Sequence, residues 1–180
     1  MIYVLLGAGF EETEAIVPVD LLRRAGLDVI TVGLNGKTVY GGHGIGIEAD
    51  ITVEEMDPQK LEMIVLPGGL GGVASIRGCD KAMEAIRFAH VHRKWIAAIC
   101  AGPTILAQLG ITDGKQAVCY PGCEEEMGSA HIVPDLPCVR DGNVITGTSA
   151  GCAIPFALAL IEALKGAEEA ERIARQIVIR

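Results

Sequence analysis

Short apolar runs alternate with helix-like segments along all 180 residues, and this alternation limits the possible folds more than any other feature. Ile2–Leu6, Val29–Val32, Met63–Leu66, Ile96–Ile99 and Asn143–Thr146 read as strands. Strands that are apolar on successive residues, not on alternate ones, need cover on both faces. Helical patterns lie between and after them: Glu11–Ala25 with Gly26 as its stop, Lys81–His92, Pro155–Leu164, and Ala167–Gln176 beyond Gly166. Pro18 is expected to break or restart the first helix midway, because proline lacks the helical donor. The glycine-rich stretch Thr38–Asp50 suits a small hairpin. Together these imply an α/β fold with a mostly parallel sheet between helices. With no repeat, low-complexity stretch or linker, the expectation is one domain over residues 1–180.

Half the residues are hydrophobic but only 4% are aromatic, so aliphatic residues and alanine must fill the core. The net charge is -8, and no run of Lys or Arg offers a phosphate-binding stripe, which argues against nucleic acid as a partner. Met1–Leu6 lacks the basic flank and cleavage site of a signal peptide, and no apolar run is long enough to span a membrane. A soluble, cytoplasmic protein is expected, with its six cysteines (79, 100, 119, 123, 138 and 152) as free thiols. There is no CxxC pair, and nothing completes a tetrahedral zinc site around Cys119 and Cys123, so no metal is expected.

One cysteine has an unusual setting. The run Trp95–Ile99 ends at Cys100, and a small-residue turn with Gly102 and Pro103 leads into the helix-like Ile105–Leu109. Strand, side chain, sharp turn and helix together make a nucleophile elbow. Helix N–H groups aimed at the sulfur would favour the thiolate. The alternative is that Cys100 is a small apolar core residue. In a parallel sheet, sites form at the carboxyl ends of strands. That rule brings Cys100 together with the segments Gly7–Glu14 and Pro67–Gly72.

Glu11 and Glu12 read as ordinary acidic helix-start residues. Glu14 is followed by Ala15-Ile-Val and could turn inward, where burial would keep its carboxyl protonated. The N–H groups of Gly68, Gly69 and Ala101 could form an oxyanion hole. Among the histidines, His90 and His92 belong on a solvent face, His131 has no motif around it, and His43 could reach the site from its glycine-rich loop.

The sequence resembles the ThiJ/PfpI superfamily, and more closely the branch of the Parkinson-associated protein deglycase and its bacterial relatives. The motifs are Gly9-Phe-Glu-Glu-Thr-Glu-Ala15, Pro18–Gly26, Val65-Leu-Pro-Gly-Gly69, Ala97-Ala-Ile-Cys-Ala-Gly-Pro103 and Phe156–Leu164, in family order over nearly the whole chain. The resemblance implies a flavodoxin-like three-layer α/β sandwich, usually homodimeric, working without a cofactor. It makes Cys100 an oxidation-sensitive nucleophile and Glu14 its protonated carboxyl partner, with backbone donors at Gly69 and Ala101. The activities it implies are those of glyoxalases and deglycases acting on small reactive carbonyls or glycated groups, or of redox-responsive chaperones. A thiazole-monophosphate biosynthesis label is common among bacterial members, though the site chemistry does not require it.

Three positions depart from the family pattern. Tyr120 stands where some relatives have histidine, which leaves no good base there at neutral pH. His43 matches an arginine, and Ser149-Ala-Gly-Cys152 replaces a glycine-proline-glycine turn. These place Cys119 and Cys152 close to the expected pocket. An amidotransferase or peptidase fits less well, since the C-terminal third has no His-x-Glu pair.

Overall fold

A computed structural model describes residues 1–179. In chain order its elements are β1 (Ile2–Leu6), α1 (Glu12–Arg24), β2 (Val29–Gly33), β3 (Thr38–Tyr40), β4 (Gly46–Glu48), β5 (Ile51–Thr52), β6 (Met63–Leu66), α2 (Leu70–Arg77), α3 (Asp80–Val91), β7 (Trp95–Ile99), α4 (Pro103–Gln108), β8 (Gln116–Ala117), β9 (His131–Ile132), β10 (Cys138–Asp141), β11 (Val144–Gly147), α5 (Ala153–Lys165) and α6 (Ala167–Gln176).

The main sheet has seven strands in the order β10-β11-β7-β6-β1-β2-β5. Every pairing in it is parallel except β10 against β11, an antiparallel edge in the register Cys138↔Gly147. Successive strand side chains point to opposite faces, and the central strands divide accordingly. Ile2, Val4, Leu6, Met63 and Val65 join one core with α1, α5 and α6. Tyr3, Leu5, Ile64 and Leu66 join a second core with α2, α3 and α4. Helices therefore cover both faces, giving the three-layer α/β sandwich expected from the strand patterning. The hairpin expected in Thr38–Asp50 is β3 paired with β4.

Pro18 does not break α1, contrary to expectation: the helix runs through it from Glu12 to Arg24. Interior proline costs a helix about 3 kcal/mol. Ala15, Val19, Leu21 and Leu22 on either side of it are buried, and a fully buried aliphatic side chain is worth about 1.5–3 kcal/mol. Packing on both flanks outweighs the lost hydrogen bond. Helix α2, strand β5 and the short strands β8 to β10 were not anticipated from sequence. α2 begins in the glycine-rich segment after β6, where glycine suggested only a turn.

Candidate active site

The chain leaves β1 toward β2 on one side and leaves β6 toward β7 on the other, so the sheet changes direction between two neighbouring strands. Crevices at the carboxyl ends of strands form at such switch points. The segments after β1, β6 and β7 meet there, bringing Glu14, Gly68–Gly69 and Cys100 together as the sequence suggested.

Cys100 follows the last residue of β7 and has a positive φ of 65°. This left-handed backbone costs a non-glycine residue roughly 1–3 kcal/mol. Hydrogen bonds on both sides hold it. The Cys100 N–H donates to the Gly147 carbonyl at 2.9 Å, and its carbonyl accepts from the Tyr120 N–H at 2.8 Å. The strained turn lifts the side chain out of the sheet into an open cavity, with α4 starting at Pro103.

Glu14 is 1% exposed, although it lies in the first turn of α1. The Glu11 carboxylate caps that turn by accepting from the Glu14 N–H at 2.7 Å. One Glu14 oxygen accepts from the Gly68 N–H at 2.8 Å. The other, Oε1, is buried and has no hydrogen-bond partner among the described residues. Only glycine fits at position 68, because a Cβ there would lie 2.5 Å from Glu14 Oε2 and 2.6 Å from the Cys100 Cβ. Gly68 was a candidate oxyanion donor, but its N–H is already committed to Glu14. That role remains open to Gly69, in a left-handed conformation with φ 82°, and to Ala101.

Burial, reinforced by the nearby Glu11 charge, raises the Glu14 carboxyl to about 7 against the attraction of the Cys100 thiol and the Gly68 N–H. Burial and then the Glu14 charge push the Cys100 thiol up to about 12, opposed by the N–H groups of Ala101 and Gly69. This corrects the expectation that the turn alone favours a thiolate: two backbone donors do not offset burial beside a carboxylate. The two groups titrate as a pair. The first proton leaves near neutrality and the second far above it. The remaining proton can sit on sulfur or on Glu14, and only the second arrangement gives a nucleophilic thiolate.

The cavity, about 560 Å³, is lined by Cys100, Glu14, Gly69 and Ala101, and also by Glu11, His43, Tyr120, Cys123 and Ser149–Gly151. His43 reaches it from the hairpin loop, but its Nδ1 is paired with Glu12 at 2.8 Å. Glu12, read as a routine helix-start residue, is buried and also accepts the His43 backbone N–H at 2.7 Å. It ties the hairpin loop to the cavity rim. The only sequence cue to this role was an acidic residue near a glycine-rich loop. Burial pushes the Glu12 carboxyl up, but the hydrogen bonds it accepts from His43, Ile45 and its own backbone together outweigh burial and leave it lowered, while Glu12 raises His43. Glu11, Glu12 and His43 have ligand-type atoms within 4.8 Å of one another. Glu12 and His43 are bonded to each other, and Glu11 caps α1.

Tyr120 lines the cavity and is exposed. Cys119 does not belong there: it is buried beside a neighbouring cavity with Pro121 and Glu124. Adjacent residues of the segment after β8 point opposite ways, and Tyr120 takes the site side. Cys152 also stays outside the lining, its sulfur 3.8 Å from the Ser149 hydroxyl, while Ser149–Gly151 form the wall. Cys123, which the sequence did not single out as a site residue, lines the cavity instead. His90 and His92 are exposed, as expected, and so is His131.

The profile of the DJ-1/PfpI family matches residues 1–163. The chain belongs to the DJ-1/PfpI family. It is 36% identical to protein dj-1beta of Drosophila melanogaster over 178 residues, covering 98% of this chain and 95% of the relative. A crystal structure of that fly protein superposes with TM-score 0.93, covering 99% of this chain and 97% of the other. A mutant of a DJ-1 superfamily protein from Salmonella typhimurium also gives TM-score 0.93, at 33% identity and with 99% and 98% coverage. A protein named as a deglycase in Pyrococcus abyssi is 29% identical, covering 91% of this chain and 99% of the relative. The sandwich is thus the flavodoxin-like fold of the DJ-1 family, and no helix among the described residues is long and apolar enough to cross a membrane.

Proposed function

We propose that the protein handles small reactive carbonyls, such as 2-oxoaldehydes or early glycation adducts, by covalent addition to Cys100 without a cofactor. The observation that carries this reading is the buried Glu14 carboxyl beside a cavity-facing thiol, with the N–H groups of Gly69 and Ala101 directed at the same sulfur. The Cys100 thiolate attacks the aldehyde carbon, forming an S–C bond. The C=O electron pair moves onto oxygen, which Gly69 and Ala101 stabilise and to which Glu14 delivers its proton. The Glu14 carboxylate then takes the proton from the substituted carbon and returns it to the neighbouring one, while the hydroxyl proton passes to the former ketone oxygen, so the hemithioacetal becomes a thioester. Water adds to the thioester carbonyl, the S–C bond breaks, the product leaves as a 2-hydroxy acid and Cys100 regains its proton. Glu14, near 7, suits both halves of this shuttle.

Lactate formation from methylglyoxal by wild type and Cys100→Ser tests the reading. Turnover lost in Cys100→Ser supports it; equal turnover in both, or none in wild type, removes it. Tyr120 holds Cys100 through its backbone, which substitution preserves. Tyr120→Phe should therefore keep most activity. Tyr120→His should equal or exceed wild type, since a positioned base adds up to roughly 10²–10⁴-fold. Wild-type turnover abolished by Tyr120→Phe would make the phenol the catalytic acid.

The second reading is an oxidative-stress sensor or redox-regulated chaperone. It is favoured by Glu14 Oε1, a buried oxygen without a hydrogen-bond partner among the described residues. When protonated, Glu14 can donate to an oxygen carried by an oxidised Cys100 sulfur. Clean peroxide oxidation of Cys100 without carbonyl turnover would select this reading. We propose a homodimer, on the family resemblance, and a cytoplasmic location, on the sequence pattern; sedimentation of the purified chain checks the dimer.

A further inference from the structure

The cavity contains a second thiol. Cys123 lines it together with Cys100, whereas Cys79, Cys119, Cys138 and Cys152 are not part of its lining. The backbone links the two. The Cys100 carbonyl accepts from the Tyr120 N–H at 2.8 Å, and the Tyr120 carbonyl accepts from the Cys123 N–H at 2.9 Å. The second bond closes a four-residue turn, which keeps its end Cα atoms within about 7 Å. Cys123 is therefore one tight turn from the residue bonded to Cys100. It is half-buried, and Tyr120, Pro121, Gly122 and Glu124 around it are exposed.

We propose that Cys123 is the resolving thiol of Cys100: after a peroxide oxidises Cys100 to the sulfenic acid, Cys123 captures it as an intramolecular disulfide. In the first step the Cys100 thiolate attacks a peroxide oxygen. An S–O bond forms, the O–O bond breaks, and the departing oxygen leaves protonated as water or an alcohol. Then the Cys123 sulfur attacks the sulfenic sulfur. The S–S bond forms, the S–O bond breaks, and the hydroxide combines with the Cys123 proton as water. The dithiol loses two electrons and the peroxide gains them. The disulfide shields Cys100 from further oxidation to sulfinic acid, which thiols do not reverse.

A disulfide needs Cα atoms about 4.4–6.8 Å apart. The segment that must adjust is the exposed turn from Tyr120 to Cys123, with Gly122 at φ 98°. At its far end it is held by the surface pair Arg77–Glu126 at 3.2 Å. The turn lies outside β7 and α1.

The inference rests on Cys100 being the reactive thiol and is tested separately from it. The full chain and Cys123→Ser, Cys123→Ala and Cys119→Ser variants are treated with limiting hydrogen peroxide and digested without reduction. Linked and modified peptides are then quantified by mass spectrometry. The expected result is a Cys100–Cys123 linked peptide in wild type and Cys119→Ser. Both Cys123 variants should instead carry severalfold more Cys100 sulfinate at equal peroxide. Equal sulfinate in all proteins, or linkage of Cys100 to a different cysteine, overturns the resolving role and leaves Cys100 reactivity intact. Cys100 that resists peroxide in every protein overturns both.

Discussion

Once pH has passed about 7, Cys100 and Glu14 share one proton, so either residue changed alone reveals the state of the other. The Glu14 charge is the second cause, after burial, of the raised Cys100 thiol. Glu14→Gln removes that charge while keeping an acceptor for Gly68 and adding a donor for sulfur. Wild-type Cys100 should gain reactivity toward iodoacetamide as pH passes about 7, where the pair loses its first proton. In Glu14→Gln that step should vanish and be replaced by one thiol titration below about 12. Alkylation rates of the Cys100 peptide from pH 5 to 10 decide this, and superposable profiles would mean that Glu14 does not govern the thiol.

At the scale of elements, the sequence revealed where the site would form better than how its walls would be built. Apolar runs ending at Leu6, Leu66 and Ile99 placed Glu14, Gly68 and Cys100 at neighbouring strand ends, because hydrophobic patterning and the strand-end rule are both local signals. Pro18 misled because local helix propensity cannot register the burial of Val19 and Leu22 that overrides it. Cys119 and Cys123 changed roles because a segment with little regular structure carries no periodicity to show which side chain faces inward. Glu12 escaped notice because its partners, His43 and Ile45, lie 31 and 33 residues away. Glu12→Ala should free the His43 and Ile45 N–H groups and release the hairpin loop. Both residues are exposed, so water can take over these donors and the stability cost is that of ordinary hydrogen bonds, about 0.5–1.5 kcal/mol each. Hydrogen exchange should quicken over residues 41–46, and KM for an aldehyde substrate should rise more than kcat falls. Unchanged exchange there would mean that β3 and β4 hold the loop without Glu12.

For the whole molecule, the buried carboxyl makes folding stability depend on pH. Glu14 is raised from an ordinary 4.5 to about 7 in the folded chain, chiefly by burial, so the fold favours the protonated form. That contribution is complete below about 4.5, where Glu14 is protonated in both states, and is lost as pH rises through about 7. A shift of this size corresponds to about 3 kcal/mol between the two limits, since one pKa unit is about 1.4 kcal/mol. The His43–Glu12 pair also titrates, because Glu12 raises His43. Both wild type and Glu14→Gln retain that pair, so the difference between their melting curves isolates Glu14. For a chain of this size 1 kcal/mol moves Tm by about 2–4 °C. Glu14→Gln should therefore melt near wild type at pH 4.5 and roughly 6–12 °C above it at pH 8.5. Thermal melts at the two pH values measure this. A constant offset would show that Glu14 keeps one charge state throughout, and the proton shuttle proposed for it could not operate.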